Sequence, residues 1–306
     1  MLGVEMLLDK IARRAAGIVT YGLAPPKRET PAHELAAIAG RHVARIGALG
    51  VDGVVVYDLQ DEQARTAEPR PFPFLPTVDP ADWALGELAA LSVPRIVYRC
   101  VQGDSRASFG AWLEKLDAEP SPLAVLVGAP SGRAKGGLAL DEAYALARTL
   151  APDVVIGGIA IAERHARRLD EHERLLAKMR AGCRFFVTQA VYDVTSTKSL
   201  LSDYALACDE PVPIVLTFAP CGSATTLAFM KWLGIAFPRW LDNDLRRAAD
   251  PLATSVRLCE QIFAEAWGYA RELGVPIGVN VESVSIRKAE IDAASELLGR
   301  LRAIMA

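Results

Sequence analysis

One glycine-rich segment contains side chains that could bind a phosphate. It runs from Gly128 to Gly137, has four glycines and carries Arg133 near its centre. The backbone N–H groups of such a loop, together with a guanidinium, can cradle an anion. Arg133 is therefore a candidate cofactor-binding residue. The segment lacks the GxxxxGK[ST] spacing of nucleotide-binding loops, so a loop that is merely flexible remains the alternative.

The histidines and cysteines are spaced in ways that predict no metal site. The four histidines form no HExxH motif, and the five cysteines lie far apart and include no CxxC pair. Zinc sites usually show such short spacings, and disulfide frameworks usually contain an even number of cysteines. The sequence thus predicts neither a bound metal nor a disulfide framework.

The apolar pattern predicts the fold that must position these residues. Short apolar runs alternate with longer segments of helical periodicity, and continuous apolar runs are typical of parallel strands covered on both faces. The predicted strands are Gly17–Leu23, Gly53–Tyr57, Arg95–Val101, Leu123–Val127, Asp153–Gly157, Cys183–Thr188, Pro213–Phe218 and Ile277–Val281. This order predicts a single (β/α)8 TIM barrel over residues 1–306. A doubly wound nucleotide-binding sheet is less favoured, because no strand is followed by GxGxxG.

Active sites of TIM barrels lie at the carboxyl ends of the strands. At these ends the sequence places Tyr21, Gln189, Phe218 and Glu282. The first three are candidate substrate-binding residues, and Glu282 is a candidate catalytic residue. One long connection, Leu59–Asp79, contains four prolines and two phenylalanines. It is either a lid over a flat aromatic ligand or a rigid edge that packs on the barrel or on another subunit.

The composition limits the class of protein. Of 306 residues, 51% are hydrophobic and 23% are charged, which is typical of a soluble protein with a large core. The formal net charge of −3 argues against a nucleic-acid-binding protein. No apolar run reaches the roughly 20 residues that span a membrane. The charged start of the chain is unlike a signal peptide, so we expect a cytoplasmic protein with a small-molecule substrate. Homo-oligomer formation stays open.

Several motifs resemble those of a known enzyme family. The segment Lys178-Met-Arg-Ala-Gly-Cys-Arg-Phe-Phe-Val-Thr-Gln189, followed by Tyr192-Asp193, resembles the central signature of the methylenetetrahydrofolate reductases. Pro25-Pro26-Lys27 and Glu163-Arg164-His165 resemble two further motifs of that family. Their order and spacing hold over nearly the whole chain, and the central segment is the most specific of them.

The resemblance implies a TIM barrel that reduces 5,10-methylenetetrahydrofolate to 5-methyltetrahydrofolate. The hydride would come from NADH or NADPH and would pass through bound FAD. By the same resemblance, Gln189 would hydrogen-bond the pterin, and His165 and Lys178 would lie near the ribityl or phosphate groups of the flavin. An amide suits the donor and acceptor edge of a pterin, and cations suit a pyrophosphate.

The sequence departs from the family at two chemically important places. The glutamate of the first strand, which would act as the general acid, is replaced by Gly22, and the Arg-Gly-Asp after the fourth strand is missing at Leu126–Ala129. In a closed barrel the eighth strand pairs with the first. We therefore expect Glu282 to lie beside Gly22 and to supply the missing acid. The alternative is a rim carboxylate that pairs with Arg287 or Lys288.

These departures leave the route and the class of function open. The missing Arg-Gly-Asp weakens the inference of bound FAD, and direct hydride transfer from the nicotinamide to the folate would need no flavin. A non-catalytic folate- or pterin-binding protein, or a partner subunit, would tolerate the loss of the glutamate. A different barrel enzyme acting on a pterin would keep Gln189 and change the acid.

Overall fold

The protein forms a closed barrel of eight parallel strands in which each strand pairs with the next and β8 pairs with β1. The computed structural model describes residues 2–63, 66–128 and 137–306, with side chains from residue 7 onward. The strands are β1 Val19–Leu23, β2 Gly53–Val56, β3 Arg95–Cys100, β4 Leu123–Val127, β5 Val155–Ala160, β6 Phe185–Ala190, β7 Ile214–Phe218 and β8 Ile277–Glu282. The predicted (β/α)8 TIM barrel is confirmed.

Helices surround the barrel and connect its strands. They are α1 Leu2–Ala12, α2 Ala32–Leu49, α3 Pro80–Asp82, α4 Arg106–Asp117, α5 Leu140–Leu150, α6 Ala162–Arg168, α7 Glu171–Ala181, α8 Val194–Ala207, α9 Ala224–Trp232, α10 Arg239–Arg247, α11 Pro251–Leu273 and α12 Lys288–Met305. A π-helical segment, Trp83–Glu87, extends α3. None of the helices in the described part of the chain is both long and apolar enough to cross a membrane.

Local sequence explains where several of these elements begin and end. The Asp79 carboxylate accepts hydrogen bonds from the backbone N–H groups of Ala81 and Asp82 at the start of α3. Gly50 ends α2 in the left-handed conformation that glycine adopts without strain. Strand β5 differs from its prediction, since it begins at Val155 and continues to Ala160. The pair Gly157-Gly158 indicated the end of this strand, but it lies within the strand. The absence of a side chain at Gly157 leaves room for the ring of Phe185.

Side chains of each strand alternate between the barrel interior and the layer beneath the helices. Val55 and Val215 belong to the interior cluster, whereas their neighbours Val56 and Leu216 belong to the larger outer core. The interior is apolar over most of its depth. It becomes polar toward the carboxyl ends of the strands, where the candidate site lies.

Helix α1 closes the opposite end of the barrel. Its Leu7 and Ile11 side chains are buried in the interior cluster. The absence of a side chain at Gly53 permits this, because a Cβ there would lie 2.6 Å from Cδ2 of Leu7. Lys10 Nζ is 2.6 Å from the Asp52 carboxylate just before β2. Among the described residues, the end left open to a ligand is the one formed by the carboxyl termini of the strands, which we call the mouth.

Two long connections follow strands β2 and β7 at the end of the barrel that forms the mouth. The β2 loop, residues 59–79, is tied to the segment after β1 by the backbone bond from Val78 N to the Pro26 carbonyl. The β7 insertion, residues 219–250, contains α9 and α10. The two meet where the Phe72 and Phe229 rings pack edge to face at 5.5 Å. The proline-rich loop thus packs on a neighbouring element of the same chain.

Candidate functional site

A hydrogen-bonded layer of polar side chains lies inside the barrel below the mouth. Asn280 of β8 is its centre, with its amide oxygen 2.9 Å from Thr20 Oγ1. The Asn280 amide nitrogen donates to the Tyr57 hydroxyl at 2.8 Å and to Thr217 Oγ1 at 3.3 Å. These bonds join residues next to or within β1, β2, β7 and β8. The layer therefore fixes the Tyr57 ring from below.

Glu282 is the next inward-facing residue of β8 and lies directly above this layer. It accepts a hydrogen bond from the Tyr57 hydroxyl. Tyr98 is a further neighbour, and its ring packs edge to face on that of Tyr57 at 4.9 Å. Burial raises the pKa of the Glu282 carboxyl from 4.5 to about 7, although the bond from Tyr57 opposes the shift. A carboxyl with this pKa holds a proton near neutral pH and can donate it.

The predicted neighbourhood of Glu282 and Gly22 is confirmed, with one difference. The two residues are directly paired across the β1–β8 seam. The space above Gly22, however, is filled by Tyr57 rather than by Glu282. A Cβ at position 22 would lie 2.8 Å from Tyr57 Cε2 and 2.9 Å from its hydroxyl oxygen. Gly22 therefore admits the tyrosine that in turn contacts Glu282.

The alternative partners of Glu282 are engaged elsewhere. Arg287 Nη1 lies 3.9 Å from the Glu290 carboxylate, and Lys288 pairs with Asp292 one turn along α12. Glu282 thus does not form the predicted rim ion pair with either cation. An ionised Glu282 would have no neighbouring cation to offset its loss of hydration. Burial therefore raises the pKa of its carboxyl group.

Gln189 lies at the end of β6 and is connected to the β7 insertion. Its Nε2 donates to the Leu233 carbonyl at 2.7 Å. Three residues further on, the Ala236 N–H donates to the Glu163 carboxylate at 3.3 Å. One N–H of the Gln189 amide is therefore used by the protein, and a ligand could use the second N–H and the amide oxygen.

An arginine at the rim is surrounded by aromatic rings. The guanidinium carbon of Arg70, on the β2 loop, lies 5.0–5.3 Å from the ring centroids of Phe74, Phe229 and Trp232. The Asp61 carboxylate lies 4.0 Å from its Nη1. Among the described residues, Nε and Nη1 have no hydrogen-bond partner. The rings hold this cation in place, and both of these nitrogens are buried, so an anion could bind them only after the surrounding side chains move.

Tyr21 and Phe218 do not join this site. Both are buried in the core between the barrel and the helices. The Tyr21 hydroxyl contacts Arg45 and Ser295, and the Phe218 ring packs edge to face on Phe263. Each residue follows an inward-facing neighbour in its strand, and strand alternation turns it outward. Their predicted contact with substrate has no geometric basis in this fold.

The residues expected near a flavin also lie outside the mouth. Lys178 Nζ donates to the Ile159 carbonyl at 2.5 Å, and burial lowers the pKa of its ammonium group. His165 is fully buried, with Nε2 3.1 Å from the carboxylate of Asp203 on α8. Arg133 lies outside the described residues. The described members of the predicted set therefore do not fit a flavin bound at the mouth.

Sequence reasoning missed the importance of Tyr57 and Asn280. Both lie at strand ends, but neither belongs to a motif that resembles the reductase family. The available signal was strand alternation. If Glu282 faces inward, so does Asn280, two residues earlier. Tyr57 follows in the same way from Val55, but its approach to Gly22 depends on how β1 and β2 are aligned.

Comparison with known proteins places this barrel among its relatives. The chain is similar to an uncharacterized protein from Clostridium thermocellum that binds two copies of 5-methyl-5,6,7,8-tetrahydrofolic acid. The two share 41% sequence identity over 98% of this chain and 100% of that chain, with a TM-score of 0.87. The chain belongs to the family of this protein. The similarity covers nearly the whole of both chains.

More distant comparisons add no argument about function. A psychrophilic glycoside hydrolase family 10 endo-beta-1,4-xylanase is 11% identical, with a TM-score of 0.46 over 92% of this chain and 96% of that one. A family 10 xylanase from Thermobacillus composti is also 11% identical, with a TM-score of 0.49 over 95% and 98%. No protein-family model matches the sequence, and no curated protein matches it. The Clostridium thermocellum relative is therefore the informative comparison.

Proposed function

We propose that the protein binds a reduced folate at the mouth and reduces 5,10-methylenetetrahydrofolate to 5-methyltetrahydrofolate with a reduced nicotinamide. The observation that carries this proposal is Glu282, a carboxyl with a pKa near 7 that points into the mouth beside two tyrosine rings. The ligand of the Clostridium thermocellum relative supports the substrate class, since 5-methyltetrahydrofolate would be the product of this reaction.

The chemistry requires one proton and one hydride. The Glu282 carboxyl gives its proton to N10 of the folate, and the bond between N10 and the methylene carbon breaks with its electron pair on N10. The methylene carbon is then part of an N5 iminium cation. Hydride from C4 of the dihydronicotinamide adds to this carbon and forms the methyl group, so the folate is reduced and the nicotinamide is oxidised.

Direct transfer between the two substrates is the route that the described residues favour. Lys178 and His165 contact other groups of the protein rather than a cofactor phosphate. The proposed reaction therefore includes no flavin. The Tyr57 and Tyr98 rings offer apolar surface for flat ligands, and the polar layer below them limits how deep a ligand can enter.

Two measurements on the purified full-length protein test the proposal. Calorimetric titration with 5-methyltetrahydrofolate should show binding. Addition of 5,10-methylenetetrahydrofolate to protein and NADH or NADPH should oxidise the nicotinamide, with equal formation of the methyl product. Binding without turnover would overturn the reductase and favour a folate-binding protein. A lack of binding would overturn both.

Arg70 is expected to bind the glutamate carboxylates of the folate tail. It is held at the rim by Trp232, whose neighbour Leu233 contacts Gln189. Charge-assisted hydrogen bonds contribute about 1.5–3 kcal/mol. Arg70→Met should therefore raise KM about 10- to 100-fold with little change in kcat, because the tail does not react.

Lys231→Met is the matched control for the Arg70 variant. Lys231, in the β7 insertion, is likewise a cation beside an aromatic ring, but it is paired with Asp242 at 2.6 Å. Steady-state kinetics with folates that have and lack the glutamate tail would check the assignment. Equal losses of Arg70→Met activity with both forms of the substrate would contradict it.

A further inference from the structure

A second cluster of chemically active side chains lies outside the barrel, between α6, α7 and α8. It consists of His165, His172 and Asp203, one residue from each helix. One ligand atom from each lies within 4.8 Å of the others. The cluster is separate from the mouth, because His165 is buried in the helical layer and Asp203 lies on the outer helix α8. It has no part in the proposed folate chemistry.

The contact between His165 and Asp203 is not a hydrogen bond. His165 Nε2 lies 3.1 Å from Asp203 Oδ2, close enough for one. Nevertheless, neither ring nitrogen of His165 has a hydrogen-bond partner among the described residues, although the side chain is fully buried. His172 Nδ1 is also buried without a partner in that part of the chain. Orphaned buried nitrogens usually cost about 1–3 kcal/mol each.

The same arrangement is typical of ligands that share a metal ion. Atoms bound to tetrahedral zinc at about 2.0–2.1 Å lie about 3.3 Å apart, and they point at the ion rather than at each other. Two imidazoles on one such ion have ring centroids about 5 Å apart. The His165 and His172 rings are 5.5 Å apart and nearly perpendicular, at 84°. Small rotations of the half-exposed His172 and Asp203 would complete the coordination.

The backbone between the two histidines is also unusual. Leu169 ends α6 with φ +57°, a left-handed conformation that is unfavourable for leucine, and its N–H donates to the His165 carbonyl at 2.7 Å. This turn brings the start of α7 back toward α6. Strained residues persist where surrounding structure requires them, often at binding sites. The Leu169 turn lies between His165 and His172 along the chain.

The cluster is accessible to an ion from solution. His165 and Asp203 line a groove of about 480 Å³ together with Thr195, Lys198 and Tyr269. Lys198, the cation of this groove, is neutralised by Glu265 at 3.1 Å. The Asp203 carboxyl group and the two imidazoles thus form a donor set of nitrogen and oxygen that suits zinc, with a fourth position open to water.

We propose that His165, His172 and Asp203 bind one divalent ion of the zinc class, which clamps α6, α7 and α8 together. Such an ion would satisfy one orphaned nitrogen on each histidine. It would also make the stability of this side of the barrel depend on metal. The site is structural rather than catalytic, because the wall of the barrel separates it from the mouth.

Zinc titration of the metal-free full-length protein tests the proposal. After chelation and dialysis, competition with a chromophoric chelator should show one equivalent of bound zinc and a higher melting temperature. Cobalt(II) should bind with the visible absorption of a tetrahedral site. His172→Gln and Asp203→Asn should each weaken zinc binding roughly tenfold or more. Both residues are partly exposed, so these variants should fold, as circular dichroism would verify.

His33→Gln is the matched control, because His33 is a surface histidine with a side chain 82% exposed. It should bind zinc as the wild type does. Zinc bound at less than one equivalent, or equally tightly by the wild type, His172→Gln and Asp203→Asn, would overturn the proposal. Folate titration of the same samples keeps this result distinct from that of the proposed function.

Discussion

Glu282→Gln is expected to slow the reduction of 5,10-methylenetetrahydrofolate by about 100- to 10,000-fold, the usual contribution of a general acid. The amide can accept the hydrogen bond of Tyr57 as the carboxyl does, but it has no acidic proton for N10. Affinity for 5-methyltetrahydrofolate should change little, because the product no longer needs a proton. Single-turnover nicotinamide oxidation and calorimetric titration would measure the two effects separately.

The pH dependence of the wild type gives an independent check. Since the protonated carboxyl is the active form and its pKa is about 7, kcat/KM should fall as the pH rises through 7. Glu290→Gln is a suitable control. Glu290 is also a buried carboxyl whose pKa is raised by burial, but it belongs to α12 and contacts Thr226. Full turnover by Glu282→Gln would show that another group supplies the proton.

The same substitution is expected to stabilise the protein in alkaline solution. Burial raises the pKa of Glu282 from 4.5 to about 7, so the fold favours the neutral carboxyl. The neutral carboxyl makes its full contribution to the free energy of unfolding below pH 4.5, and this contribution is lost as the pH rises through 7. At pH 8.5 the ionised carboxylate then lowers the free energy of unfolding by about 3 kcal/mol. Glutamine carries no charge and avoids this loss.

Thermal unfolding of both proteins at two pH values would measure the difference. At pH 5 the melting temperatures should nearly coincide, and at pH 8.5 the variant should melt roughly 4–8 °C higher. A variant that is less stable than the wild type at pH 8.5 would contradict the raised pKa. An inactive but more stable variant would show that the acid is retained at a cost in stability, as is common for catalytic groups.

The sequence predicted the barrel because its strands are buried on both faces. Continuous apolar runs such as Leu123–Val127 left few alternatives, and Asp79 and Gly50 marked helix ends by their local chemistry. The role of α1 was not predicted. Its helix resembles any amphipathic segment, and its docking depends on Gly53, which lies in a different element. Contacts between elements are not encoded in local periodicity.

The candidate site was predicted in part. The closed order of strands was sufficient to place Glu282 beside Gly22, and the structure confirms this pairing. Motif resemblance was less informative for Lys178 and His165. A motif gives the position of a residue along the chain, but it does not say whether the side chain lies inside or outside the barrel. Tyr21 and Phe218 were selected by their place at strand ends. Strand alternation would have excluded Tyr21 from the site. Gly22 pairs with Glu282 and faces inward, so its neighbour Tyr21 must face outward.

The pairing of β1 with β8 determines when the proposed activity can first arise during synthesis of the chain. Thr20 and Asn280, which meet across this seam, are 260 residues apart in the chain. The proposed acid lies just beyond Asn280, in the last strand to be made. A chain that lacks its final strand has neither the acid nor the amide that holds Tyr57. Contacts of such high sequence separation form late, because their loop-closure entropy must be overcome first. On this proposal, unfinished chains lack the proposed acid, and the proposed activity arises only once the barrel has closed.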